Sequence, residues 1–343
     1  MYASHRDACI LSKYASDLTS RLNTFYEAEG LADCVIAYRK LGKGNYHFSF
    51  DAYRFACANQ PCIVLCFDIT EFFNNLKHDL LKERLKRLLG VQELPEDWYK
   101  TFRYVTHHTS VSLQDLKNNP IFGPRLKSRS LAPITTVAEA KKAGIIFGTN
   151  PNAYGIPQGT PISSALSNLY MMDVDKTMQS ACISQRAMYQ RYSDDIIIIC
   201  PLSAEDGLKM KLMEAIEVHG LEIKDEKTER SVFDTANPTT FQYLGFNVSP
   251  AGSCIRPSSL AKRWRRMRRA IDQIGEIGAN AIAEGSATRI FTKGLRRRFS
   301  PIGGRNFSSY ARRSAEVFGD RNIVRQVLRL ERKADEAIRE LNK

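Results

Sequence analysis

The sequence predicts an α+β chain that runs on into a basic helical region, and three observations carry that expectation. Between residues 61 and 250, apolar runs of strand length alternate with segments of helical periodicity. Residues 256–343 follow a largely helical pattern and are rich in arginine. Pro250, Gly252 and Pro257 punctuate the junction between the two. A chain of 343 residues can hold two or three packed subdomains, and composition divides this one at 1–60, 61–250 and 251–343.

Taken in order, residues 1–60 read as mostly helical apart from the polar stretch YRKLGKGNYHF (38–48). CIVLCF (62–67) is a continuous apolar run, as expected of a central strand buried on both faces, and it ends at Asp68. Leu81, Leu85 and Leu88 then recur at helical spacing, and Gly90 supplies a stop. Residues 118–150, with scattered Pro, Gly, Lys and Arg, read as a loop-rich insertion. In GIPQGTPIS, Gly155, Pro157, Gly159 and Pro161 predict a rigid turn before a helix starting near Ser163, with small residues permitting close backbone approach. RYSDDIIIIC (191–200) reads as a tight turn between two strands. Leu260, Trp264, Met267, Ile271 and Ile274 form one apolar helical stripe, expected to pack on the sheet domain.

Charge distinguishes the C-terminal region. The net charge is +13; residues 251–343 hold 22 Lys+Arg against 9 Asp+Glu, while residues 1–250 balance. Eighteen of those 22 are arginine, whose planar fork suits phosphate oxygens, so a phosphate-rich partner is expected there. The clusters are Arg263, Arg265, Arg266, Arg268 and Arg269, then Arg296, Arg297 and Arg298. The eight cysteines include no CxxC pair and several sit in apolar runs, which predicts buried reduced thiols. No apolar run is long enough to span a bilayer and the N-terminus is unlike a secretory signal, so a cytoplasmic location is expected.

The acids carry the chemistry. A strand ending in Asp68 and a turn presenting Asp194 and Asp195 form a minimal cage for two hard cations. Such a cage suits in-line displacement at phosphorus, where negative charge spreads over the attacking and leaving oxygens. RYSDD resembles the YxDD box of reverse transcriptases, and FDITEFFNNLKHDLL (67–81) resembles their first acidic motif in its bacterial form. YGIPQGTPISSALSNLYMMDVD (154–175) is similar to the PQG motif of the same family. GLEIKDEKTE (220–229) and FQYLGFNVS (241–249) resemble the later palm motif and the primer-grip hairpin. Five motifs stand in family order.

The resemblance implies a right-hand polymerase: an antiparallel palm sheet with helices over 61–250, fingers in 1–60 and in elements inserted at about 96–153, and a helical thumb in 251–343. It implies an RNA-directed DNA polymerase using two Mg2+ ions, with Mn2+ a possible substitute, held by Asp68, Ile69, Asp194 and Asp195. Phe73 matches the aromatic gate that excludes a ribose 2′-hydroxyl, with Phe72 as the alternative, and Gln158 would reach the template or incoming nucleotide. Arg39, Lys40 and Lys43 are candidates for gripping the triphosphate, and Lys227 for the leaving pyrophosphate. Compact size, the YRKLGKGNYHFSFDAYRF start and the YSDD box most resemble defence-associated bacterial members. For these the resemblance implies dNTPs, an RNA template, a DNA product and a dedicated noncoding RNA. Retron and group II intron enzymes, template-independent synthesis, an RNA-dependent RNA polymerase and an inactive RNA-binding module remain the alternatives.

Overall fold

The computed structural model describes residues 4–128, 132–300 and 304–342. The chain divides into two compact units, each discontinuous in sequence. Residues 1–38, 69–177 and 212–222 make the first, and residues 39–68, 178–211 and 223–343 the second.

The second unit is built on an antiparallel sheet. β1 (Cys62–Asp68) lies between two other strands, and every residue from Cys62 to Leu65 is buried, as the unbroken apolar run requires. The small β2 (Thr109–Val111) and β3 (Phe147–Thr149) pair with each other in the first unit. β4 (Met188–Tyr192) and β5 (Asp195–Cys200) form the expected hairpin, and β6 (Glu229–Phe233) completes the sheet in the order β4-β5-β1-β6. All neighbours run antiparallel. Register pairs Val64 with Ile199 and Cys66 with Ile197, so Val64, Ile197 and Ile199 share a face. That face packs on Ala52 and Ala56 of the Asn45–Ala58 helix.

β7 (Phe241–Tyr243), β8 (Phe246–Ser249) and β9 (Gly252–Ile255) form a second, three-stranded sheet whose Phe241, Phe246 and Val248 join the same core. Ala311, Ala315 and Phe318 of the Phe307–Phe318 helix and Ile323 and Val327 of the Arg321–Glu340 helix close it.

The Pro257–Ala283 helix begins with Pro at its first turn, where a missing N–H costs nothing. Its apolar stripe does face inward, but against a different partner from the one expected. Met267 and Ile271, with Trp264 and Ile274, pack on Leu295, Phe299, Ala334 and Ile338, and Leu260 alone reaches the core of the sheets. The Arg321–Glu340 helix is itself strongly two-faced and supplies the complementary surface.

The first unit is mainly helical. Helices His5–Ala28, His78–Leu89 and Ser163–Tyr170 pack together, and Gly90 ends the second in a left-handed cap. Arg84 is buried here, its guanidinium stacked 4.8 Å over the Tyr170 ring and its Nε donating to Asp173 at 3.0 Å. The expectation of a loop-rich insertion at 118–150 holds in part. Helices Phe122–Lys127 and Val137–Lys142 and strand β3 stand between its irregular stretches, around a small core of Phe122, Ala140 and Ile145. Its helices are only six residues long, too short for a helical period to show in the sequence. All eight cysteines are free thiols; Cys34, Cys62, Cys182 and Cys200 are buried, whereas Cys9 is exposed, contrary to expectation.

Candidate active site

Strand register brings the acids together. In the β1–β5 pair Asp68 stands directly opposite Asp195, and directly opposed residues put their side chains on one face of a sheet. The β4–β5 hairpin closes between Tyr192 and Asp195, so Ser193 and Asp194 are its two turn residues. Ser193 takes a left-handed φ of 62°, as the first position of a tight hairpin turn of the II′ kind requires. Beneath the turn lies the fully buried Arg191, which donates to the Ser193 carbonyl at 3.0 Å and so fixes the backbone carrying Asp194.

The electrostatics follow from that convergence. The Asp195 carboxyl is pushed up to about 6, first by partial burial at the strand end, then by the charges of Asp194 and Asp68, with Arg256 acting in the opposite direction. Asp68 and Asp195 line a cleft of about 180 Å³ with Glu229, Tyr243, Leu244 and Arg256. Leu244 and Gly245, at the tip of the β7–β8 hairpin, both have positive φ (46° and 91°), the conformation a type I′ turn demands. The Gly245 carbonyl accepts the Arg256 N–H at 3.0 Å, tying the hairpin tip to the residue that faces the acids. Sequence reasoning missed Arg256; an arginine between a strand and a helix-opening proline carries no signal of its own.

Among the described residues, no three His, Cys, Asp or Glu side chains stand at the spacing of a ready-made metal centre. Asp194 and Asp68 nevertheless act electrostatically on the Asp195 carboxyl. Their chemistry does fit a hard divalent cation: oxygen donors only, crowded negative charge and one arginine in partial compensation. Ile69 is buried and apolar, leaving its backbone oxygen as the only donor it has to offer.

In the first unit the GIPQGTP loop is held against the segment that follows Asp68. Gly155 N–H donates to the Leu76 carbonyl and Ile156 N–H to the Phe73 carbonyl, both at 2.9 Å. Gly155 has φ +87°, and a Cβ there would stand 2.9 Å from the Asn74 carbonyl oxygen. The close approach it permits is therefore to this backbone. Gln158 is exposed and lines a cleft of about 490 Å³ with Asn74, Asn75, His108 and Asn150. Phe73 and Phe72 are both buried, their rings 5.4 Å apart and edge-on.

Residues 10–248 match the family model described as "Reverse transcriptase (RNA-dependent DNA polymerase)". The chain belongs to the reverse transcriptase family. It accordingly carries a nucleotidyl-transferring catalytic domain, and its α+β fold with a central antiparallel sheet is that of a polymerase palm. Among solved structures, apo telomerase from Candida tropicalis is 12% identical, with a TM-score of 0.49 over 96% of this chain and 51% of that one. Telomerase from Candida albicans with a fragment of telomeric RNA is 12% identical, with a TM-score of 0.46 over 96% and 49%. The RNA-dependent RNA polymerase of a human picobirnavirus is 17% identical, with a TM-score of 0.35 over 67% and 37%. The chain thus spans about half the length, or less, of these structures. None of the curated proteins compared with it matches.

The basic residues of the chain differ in how they are committed. Lys43 pairs with Asp51 at 3.3 Å, Arg39 is half-buried and engaged, and Lys40 is exposed. The Lys227 side chain lies outside the described residues. Arg263 is half-buried: it donates to the Arg298 carbonyl at 2.8 Å and stacks 4.8 Å from the Phe299 ring. Arg263 thus packs the helices together, and burial with its Arg298 and Arg266 neighbours lowers its pKa. Arg265, Arg266, Arg268 and Arg269 are exposed, as are Arg297 and Arg298, while Arg296 lies 3.6 Å from Asp335. No described helix is long and apolar enough to cross a membrane.

Proposed function

We propose that the chain is an RNA-directed DNA polymerase in which Asp68, Asp194 and Asp195 hold two Mg2+ ions. The observation that carries this reading is the register that sets Asp68 opposite Asp195, with Asp194 in the adjoining turn. When bound, the ions supply charge neutralisation at the attacking and leaving oxygens of the transferred phosphoryl group. The protein's part is to bring three acids to one end of the sheet: β1 and β5 fix two of them, and Arg191 fixes the turn of the third. In this reading the organisation is fingers over 1–60 and about 96–153, palm over 61–250 and thumb over 251–343. Phe73 acts as the sugar gate, and Gln158 contacts template or nucleotide. Arg39, Lys40 and Lys43 serve the triphosphate, Lys227 the pyrophosphate, and the exposed thumb arginines the nucleic-acid backbone. The likeness of the 38–55 stretch and the YSDD box to defence-associated enzymes supports work with a noncoding RNA in resistance to phage.

Primer extension on an RNA template with dNTPs and Mg2+ tests this. Asp194→Ala with Asp195→Ala abolishes synthesis while circular dichroism stays that of the parent, because loss of transition-state charge stabilisation does not unfold a sheet relieved of like charges. EDTA stops the parent enzyme and Mg2+ or Mn2+ restores it. Extension by the folded double variant would overturn the assignment. Omitting the template separates template-independent synthesis, replacing dNTPs by NTPs separates an RNA polymerase, and sequencing the co-purifying RNA identifies the partner.

A further inference from the structure

A large cleft in the C-terminal region carries an exposed aromatic ring, Phe291, to which the catalytic reading gives no role. It measures about 1140 Å³ and is lined by Arg289, Phe291, Lys293, Arg296 and Arg297, with no acidic residue among the described ones on its walls. Phe291 is 70% exposed. Burying a phenylalanine normally stabilises a fold by roughly 2 kcal/mol, and this ring, next to the buried Ile290, forgoes that gain.

The loop that carries it is pinned in place. Ile290, the preceding residue, is buried, and it exchanges two hydrogen bonds with Asn342, giving its N–H at 2.9 Å and accepting the amide at 3.1 Å. Its side chain sits so close to the Pro257–Ala283 helix that a Cβ on Gly278 would stand 2.7 Å from it. The backbone therefore holds the Phe291 ring out while Ile290 anchors the loop. Arg289 places its guanidinium 5.7 Å from the ring centroid, and Lys293 and Arg297 are exposed around the same cleft.

We propose that this cleft binds single-stranded nucleic acid, with an unpaired base stacked on Phe291 and its flanking phosphates held by Arg289, Lys293 and Arg297. An aromatic platform beside cations is the chemistry that recognises an unpaired base, since a paired base keeps its faces inside the helix. The proposal rests on the nucleic-acid reading of the chain and adds to it a second binding place that differs in kind from a duplex clamp.

The test measures binding of the full-length protein, in EDTA so that synthesis is off, to a fluorescent 12-nucleotide oligouridylate and to an RNA duplex of the same length. Phe291→Ala weakens binding of the oligouridylate about tenfold and leaves the duplex unchanged. Phe291→Trp keeps the parent affinity, and its added indole emission is quenched by the oligouridylate. Unchanged affinity of Phe291→Ala for the single strand, or an equal loss on both probes, overturns the proposal. Primer extension run in parallel keeps the two readings apart. A parent protein that binds in this pattern but does not extend defeats the polymerase reading alone, and one that extends without the pattern defeats the stacking site alone.

Discussion

Replacing Gly155 by alanine tests whether the loop that carries Gln158 is positioned by its close approach to the Asn74 backbone. Two costs add. A side chain at φ +87° sits in the left-handed region, at roughly 1–2 kcal/mol. The new Cβ also meets the Asn74 carbonyl oxygen at 2.9 Å, and this neighbour is backbone, which cannot swing aside as a side-chain tip would. Overpacking of this kind costs about 1–3 kcal/mol. The lower entropy of the unfolded alanine chain offsets about 0.4–1 kcal/mol, leaving a net destabilisation of about 1–5 kcal/mol. Gly90→Ala is the internal control: its φ is similarly positive, +69°, but nothing lies within 4 Å of the added Cβ, so strain alone operates there, at about 1 kcal/mol. Urea midpoints at constant m-value report both variants. Because Gly155 and Ile156 hydrogen-bond to Leu76 and Phe73, a displaced loop also moves Gln158, and synthesis per folded molecule falls roughly tenfold or more. If Gly155→Ala is no more destabilising than Gly90→Ala, the Asn74 backbone does not position the loop and the reasoning fails.

Two further outcomes follow from the site. If Phe73 is the proposed sugar gate, Phe73→Val raises ribonucleotide over deoxynucleotide incorporation in a competition assay, because the volume that would exclude a 2′-hydroxyl is gone; an unchanged ratio would leave Phe73 as core and Phe72 as the next candidate. Glutamine in place of Arg265, Arg266, Arg268 and Arg269 flattens the salt dependence of nucleic-acid binding, by about 0.7–0.9 in log–log slope for each phosphate that is no longer neutralised, and shortens products more than it slows a single addition. Filter binding across a salt series checks this, and a slope equal to the parent's would reject a phosphate clamp at these four positions.

Much of the fold and the acids of the site were legible in the sequence because their signals are local. An unbroken apolar run ending in Asp68, an Asp-Asp pair before four isoleucines and a 3.6-residue stripe each describe one element and the neighbours it needs. Short elements gave no such signal: helices of six residues within 118–150 complete too few turns to show a period, and read as loop. What only the tertiary structure decided were the pairings between distant segments. Register, a property of two strands together, set Asp68 against Asp195 and brought Arg256 to the same cleft. The stripe of the Pro257–Ala283 helix was visible in the sequence, but its partner was not: periodicity states that a face is buried, and the amphipathic C-terminal helix supplied what buries it. Likewise, composition marked the arginines as one basic field, whereas packing separated Arg263, spent between Arg298 and Phe299, from neighbours left facing water. Sequence determines which residues must be covered and which may carry charge; which of them meet depends on contacts between segments far apart in the chain, and those exist only once it has folded.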